Sequence, residues 1–114
     1  MIAKDFAVEW ISAWNSHDMN KILEHYTEDF EITTPMIKTV MGIESGILKG
    51  KDAIRDYWST ALIKIPDLHF ELKAVTESVE SIAIFYKSVF DKMAIEVMFF
   101  NAEGKIYKVI AHYN

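Results

Sequence analysis

Apolar residues at Ile2, Ala3, Phe6, Ala7, Trp10, Ile11 and Trp14 recur every three or four positions, while Lys4, Asp5, Glu9 and Ser12 fill the other side. That spacing predicts an amphipathic helix over residues 2–14. Asn15-Ser16-His17-Asp18 interrupts it, and Asp18 is placed to cap a second short helix whose stripe is Met19, Ile22, Leu23 and Tyr26. The two make a helical hairpin. Phe30 to Thr34 alternates and carries Ile32, Thr33 and Thr34, which fits a short strand stopped by Pro35. Met36 to Lys49 holds Gly42 and Gly46 among Val40, Met41, Ile43, Ile47 and Leu48, and fits an irregular flap or a short hairpin that covers something. After Gly50, the face formed by Ala53, Ile54, Tyr57, Trp58, Ala61 and Leu62 predicts a third helix, ended by Pro66.

The remainder reads as strands. Leu68, Phe70, Leu72 and Ala74 alternate with His69, Glu71 and Lys73; Ser81 to Phe90, Met93 to Phe100 and Lys105 to Tyr113 follow, separated by Asp91-Lys92 and Asn101-Ala102-Glu103-Gly104. An antiparallel meander after three helices makes the fold class α+β, with the helices packed on one face of a curved sheet. At 114 residues and 51% hydrophobic content, residues 1–114 are expected to form a single domain.

Composition narrows the partners. Twelve Lys and Arg against seventeen Asp and Glu leave a formal charge of −5, and Lys49, Lys51 and Arg55 are the nearest thing to a basic cluster. No nucleic acid partner is expected. The chain has no cysteine, which removes disulfides, thiolate metal sites and cysteine nucleophiles together. Lys4 and Asp5 break the first apolar run, and no stretch approaches the ~20 apolar residues of a membrane span, so a cytoplasmic protein without membrane attachment is expected.

The run from Asp18 to Phe30 (Asp18-Met19-Asn20-Lys21-Ile22-Leu23-Glu24-His25-Tyr26-Thr27-Glu28-Asp29-Phe30), then Pro35, then Leu48-Lys49-Gly50-Lys51-Asp52-Ala53-Ile54-Arg55-Asp56-Tyr57-Trp58, resembles the NTF2-like superfamily, in its SnoaL-like and ketosteroid-isomerase-like branches. The ending from Phe99 to Ile106 and through Ala111-His112-Tyr113 is also similar, so the resemblance covers nearly the whole chain. It implies a cone in which three helices close one side of a strongly curved antiparallel sheet around an enclosed pocket. Such pockets host isomerases, polyketide cyclases, epoxide hydrolases and dehydratases, and also members that only bind. Fold therefore does not settle function.

Matched residue by residue, the isomerase base falls at Thr34, which cannot accept a proton at neutral pH, and the oxyanion tyrosine falls at Trp10, whose indole can only donate. Steroid isomerisation is disfavoured. The second carboxylic acid has a counterpart in Glu96, the only charge in Met93-Ala94-Ile95-Glu96-Val97-Met98-Phe99-Phe100. By alternation Glu96 shares a face with Met98 and Phe100, the face that the resemblance turns into the cavity. Desolvation there should raise its pKa and suit it to acid or base work, or else it satisfies the pocket wall structurally. Trp10 is the companion candidate donor. Trp14, Tyr26, Thr34, Tyr57, Trp58, Met98, Phe100 and Tyr113 are the candidate pocket residues.

Other chemistry has less support. His17, His25, His69 and His112 show no HxH or HxxxH spacing, so no metal is expected, and no cofactor either. His25 is expected on the surface, and of His112 and Tyr113 the latter is expected to face inward. Gly46 to Asp52 has one residue too few for a phosphate loop, and Ser45-Gly46 lacks the first glycine of a nucleophile elbow. Two functions remain open: a cyclase-like or isomerase-like enzyme moving a proton on an apolar carbonyl substrate through Glu96, or a non-catalytic binder of a hydrophobic metabolite or a protein-interaction module. Ile95, Val97 and Phe99, with Ile106 and Ile110, form a second apolar face, which predicts a homodimer through the outside of the sheet.

Overall fold

The computed structural model describes residues 2–114. Helix α1 (Ala3–Ser16) buries Ala7, Trp10, Ile11 and Trp14, while Ile2 stands at the helix cap and is exposed. His17 closes α1 in the left-handed conformation, and its Nε2 meets the Leu68 carbonyl at 2.7 Å. Asp18 caps α2 (Met19–Leu23), accepting from the backbone N–H groups of Asn20 and Lys21 at 3.0 and 3.3 Å. Tyr26 does not lie on α2 as its spacing predicted. It opens strand β1 (Tyr26–Thr33), where Tyr26, Phe30 and Ile32 share the buried parity of a strand.

Pro35 does more than stop that strand. It opens a further helix, α3 (Pro35–Met41), where a missing N–H costs nothing and the fixed φ suits the first turn. The Thr34 hydroxyl caps α3 by accepting from the Met36 N–H at 3.2 Å. Gly42 ends the helix in the left-handed region, and the Thr34 N–H donates to the Gly46 carbonyl at 2.9 Å as the chain returns. Strand β2 (Ile47–Lys49) then pairs antiparallel with β1. The ambiguous segment is thus a helix, a turn and an edge strand. Helix α4 (Lys51–Lys64) follows and buries Ile54 and Trp58.

Strands β3 (Glu71–Ser78), β4 (Ser81–Lys87), β5 (Met93–Phe100) and β6 (Ile106–Tyr113) make the antiparallel meander. Leu68 and Phe70 are buried, as their alternation implied, but they precede β3, and a bulge between Leu72 and Ala74 resets the inward parity. The sheet is not wholly antiparallel: β1 lies parallel to β6, giving six strands in the order β2-β1-β6-β5-β4-β3. Strands β1 and β2 come before α4, so helices and strands are interleaved in sequence and segregated only in space.

The sheet curls under helices that cover one of its faces, with α1 against β3 and α4 against β1. Along β5 the covered face takes Ala94, Glu96, Met98 and Phe100, and Ile95, Val97 and Phe99 point outward. Ile110 joins that outer face beside Val97, but Ile106 does not. A register shift between Phe99 and Phe100 turns Ile106 inward, where it is fully buried. Phe85 and Tyr107 stand exposed on the outside in its stead. No helix among the described residues is long and apolar enough to cross a membrane.

Candidate functional site

Between α3, α4 and the covered face of the sheet lies a cleft of about 580 Å³ with its mouth open to solvent. Ile32, Leu68, Phe70, Trp14 and Trp58 supply apolar wall, and Thr34, Tyr57, Tyr86, Ser88, Glu96 and Tyr113 supply the polar groups. Asp56 and Lys64 of α4 add charge, and Met36, Val40 and Met41 of α3 and Val89 and Phe90 of the β4–β5 connection complete the lining. Phe90 is 73% exposed and, unusually for a bulky side chain, adopts φ 57°.

Glu96 is the buried acid of this cleft, at 6% exposure. It faces Ile84 across the β4–β5 ladder, which makes Tyr86 its diagonal neighbour, and the Tyr86 hydroxyl donates to Glu96 Oε2. None of the ion pairs among the described residues includes Glu96. Burial therefore dominates and pushes its carboxyl from 4.5 up to about 7, against a smaller opposite pull from the Tyr86 hydrogen bond. The phenols around it respond in turn. Burial, then the Glu96 charge, pushes Tyr57 up to about 12 and raises Tyr86 and Tyr113 as well, the Tyr86 and Ser88 hydroxyls beside Tyr113 partly offsetting its rise. At neutral pH the site thus offers neutral phenols and a carboxyl divided between its acid and its base forms.

Of the residues singled out from sequence, Glu96, Trp14, Thr34, Tyr57, Trp58 and Tyr113 line the cleft. Trp10, Tyr26, Met98 and Phe100 do not line it; all are buried in the core. The Trp10 Nε1–H, expected as a ligand donor, donates to the Tyr26 hydroxyl at 2.9 Å. Tyr26 in turn packs 4.4 Å from Phe30 and 5.4 Å from Trp58 between ring centroids, and its hydroxyl accepts from Trp10. Thr34 lines the cleft with its hydroxyl committed to capping α3. Tyr86 was missed. The inward parity of Ile82, Ile84 and Tyr86 was legible in β4, but its contact with Glu96 depends on the β4–β5 register, which one sequence does not display.

The histidines lie apart from this chemistry. His112 is exposed on the outer face beside Ile95. His25 is not the surface residue expected: its side chain is only 11% exposed, its ring meets Phe6 edge-on, and its Nε2 sits 3.5 Å from Glu9. No group of three or more His, Asp or Glu among the described residues is arranged to hold a metal ion.

The SnoaL-like domain family matches residues 7–109. A SnoaL-like protein of unknown function from Burkholderia thailandensis is 44% identical over 97% of this chain and 92% of its own, and superposes with a TM-score of 0.95. At lower identity the likeness is one of fold. An NTF2-like protein of unknown function from Cytophaga hutchinsonii is 14% identical, with 100% of this chain and 91% of that chain covered and a TM-score of 0.76. SalBIII, an epoxide hydrolase/cyclase-like enzyme in pyran ring formation in the polyether salinomycin, is 19% identical, with 97% and 89% covered and a TM-score of 0.75. No curated protein matches the sequence. The family match over most of the chain and the 44% identical relative agree with the curled sheet and its helical cover: the chain belongs to the SnoaL-like domain family.

Proposed function

We propose that the cleft binds a small, mainly apolar molecule and that Glu96 moves a proton on a carbonyl group of that molecule, in the manner of a cyclase or isomerase. The observation that carries this reading is a buried carboxyl in a mainly apolar cleft, in none of the ion pairs among the described residues and pushed up to about 7 by burial. A general acid or base works best when its pKa lies near the working pH, and burial moves the Glu96 carboxyl there. Tyr86, hydrogen-bonded to Glu96 Oε2, holds one carboxyl oxygen in place. The cyclase-like description of SalBIII is compatible with this chemistry.

The test uses a bicyclic ketone, decalone, in heavy water, with exchange of its α-hydrogens followed by proton NMR. The protein accelerates exchange, and Glu96→Gln, which keeps size and donor ability, abolishes the acceleration while leaving affinity within about twofold. Binding without accelerated exchange would favour the second reading, a non-catalytic binder. One observation supports that alternative: Thr34, at the position of the family's base, caps α3 and cannot take a proton. We also propose that two copies associate through the outer sheet face at Ile95, Val97, Phe99 and Ile110.

A further inference from the structure

The connection between β4 and β5 adopts a conformation that its sequence does not favour. The Lys92 N–H donates to the Val89 carbonyl at 3.1 Å and the Ser88 N–H to the Lys92 carbonyl at 2.7 Å, so residues 89–92 form a tight hairpin turn. Both central residues, Phe90 and Asp91, have positive φ, 57° and 58°. That is the pattern of a type I′ turn, whose central positions favour Asn, Asp and Gly. Asp91 meets the preference, and its carboxylate also pairs with Lys87 at 3.2 Å. Phe90 does not, because a bulky L residue is strained in the left-handed region. Packing gives no reason for it either: Phe90 is 73% exposed and belongs neither to the buried core nor to the partly buried residues packed against it.

Strain that the fold does not use points to a role outside the fold. Phe90 lines the cleft together with Val40 and Met41, and these are the exposed apolar residues of its lining, at 73, 54 and 45%. Asp56, Thr60 and Lys64 of α4 are the exposed polar ones. Glu96, Tyr86, Thr34 and Ser88 line the same cleft and are buried. Polar groups therefore lie at depth, and one part of the mouth has an apolar rim. We infer that Phe90 is a ligand-contact residue, its ring covering the apolar end of an elongated molecule whose carbonyl end lies at Glu96. Taking that ring out of water is a gain made only with the ligand in place, which offsets the strain held in its absence. This rests on the proposed function and deepens it, by giving the ligand a carbonyl at one end and a hydrocarbon ring or branched chain at the other.

The probe is para-cyclohexylcyclohexanone, an apolar ketone whose second ring is directed away from its carbonyl. Phe90→Asn puts a favoured residue in the turn and removes the aromatic ring, so two changes of opposite sign are expected: a thermal midpoint about 2–4 °C higher and binding about fivefold weaker. Phe90→Tyr keeps both ring and strain, and should bind within about twofold of the parent with no gain in midpoint. In the complex, nuclear Overhauser contacts should join the Phe90 ring to the cyclohexyl group. A residue that merely packs does not give this pair of signs, because its removal lowers the midpoint. A Phe90→Asn protein less stable than the parent, or unfolded, shows the ring supporting the fold and overturns the inference. A more stable variant with undiminished affinity, and no such contacts in the parent complex, also overturns it and leaves the proposed pocket standing. A ketone that perturbs no cleft residue of the parent at saturation overturns both.

Discussion

A buried carboxyl group with no cation beside it is most stable holding its proton, and Glu96 stands in that position. Its pKa is higher in the folded protein, about 7, than the 4.5 of an unperturbed side chain. The folded state thus binds the proton more tightly than the unfolded state. The resulting stabilisation is complete below about pH 4.5 and is lost as pH rises toward about 7. Urea unfolding at a series of pH values should show the protein losing up to about 3 kcal/mol over that window relative to Glu96→Gln, whose side chain does not titrate. A flat difference between the two would mean that Glu96 is solvated. At this scale the lone charge in an apolar strand was legible in the sequence, alternation put it on a face with Met98 and Phe100, and the family resemblance turned that face inward. The role of Trp10 was not, because its partner Tyr26 is brought to it by a strand that the helical spacing of Met19, Ile22, Leu23 and Tyr26 concealed.

Among the elements, α3 and β2 turn on one close approach. Gly46 has φ +69°, and a Cβ built there would sit 3.0 Å from the Thr34 carbonyl oxygen. Gly46→Ala should cost ~1–2 kcal/mol from the left-handed backbone alone, and more if Thr34 is pushed from its capping position. Thermal unfolding measures the loss, and an unchanged midpoint would contradict this packing. The segment resisted sequence reading for a physical reason. Seven helical residues and three strand residues are each too short to display their period, and Pro35 is compatible with ending a strand and with starting a helix. Long amphipathic α1 and the meander strands were readable because their periods repeat. The parallel pairing of β1 with β6 was not, since nothing local in either strand records its neighbour. Ile106 shows the same limit within a single strand, as one register shift reversed the face assigned by counting.

For the whole molecule, the outer sheet face leaves Phe85, Ile95 and Tyr107 well exposed, with Val97, Phe99 and Ile110 partly so. Phe85 pairs with Ile95, and Val97 pairs with Ile110, so this apolar surface crosses three adjacent strands. A patch of this kind on a small protein calls for a cover. Sedimentation should find a dimer at micromolar concentration, and Val97→Lys, which sets a charge in the middle of the patch, should yield a folded monomer. A monomeric parent protein would remove the proposal.

The order of the strands also governs how the molecule avoids unwanted growth. The two edges of the sheet are β2, only three residues long, and β3, which carries Glu71, Lys73 and Glu77 along a largely exposed strand. A short edge offers few free backbone groups to template another strand, and charged side chains along an edge cost desolvation when a copy covers them. Both edges of the sheet are thus poor templates for strand-to-strand addition, the route to fibrils. The dimer proposed above would use the broad face instead, where a two-fold pairing covers its own surface and goes no further.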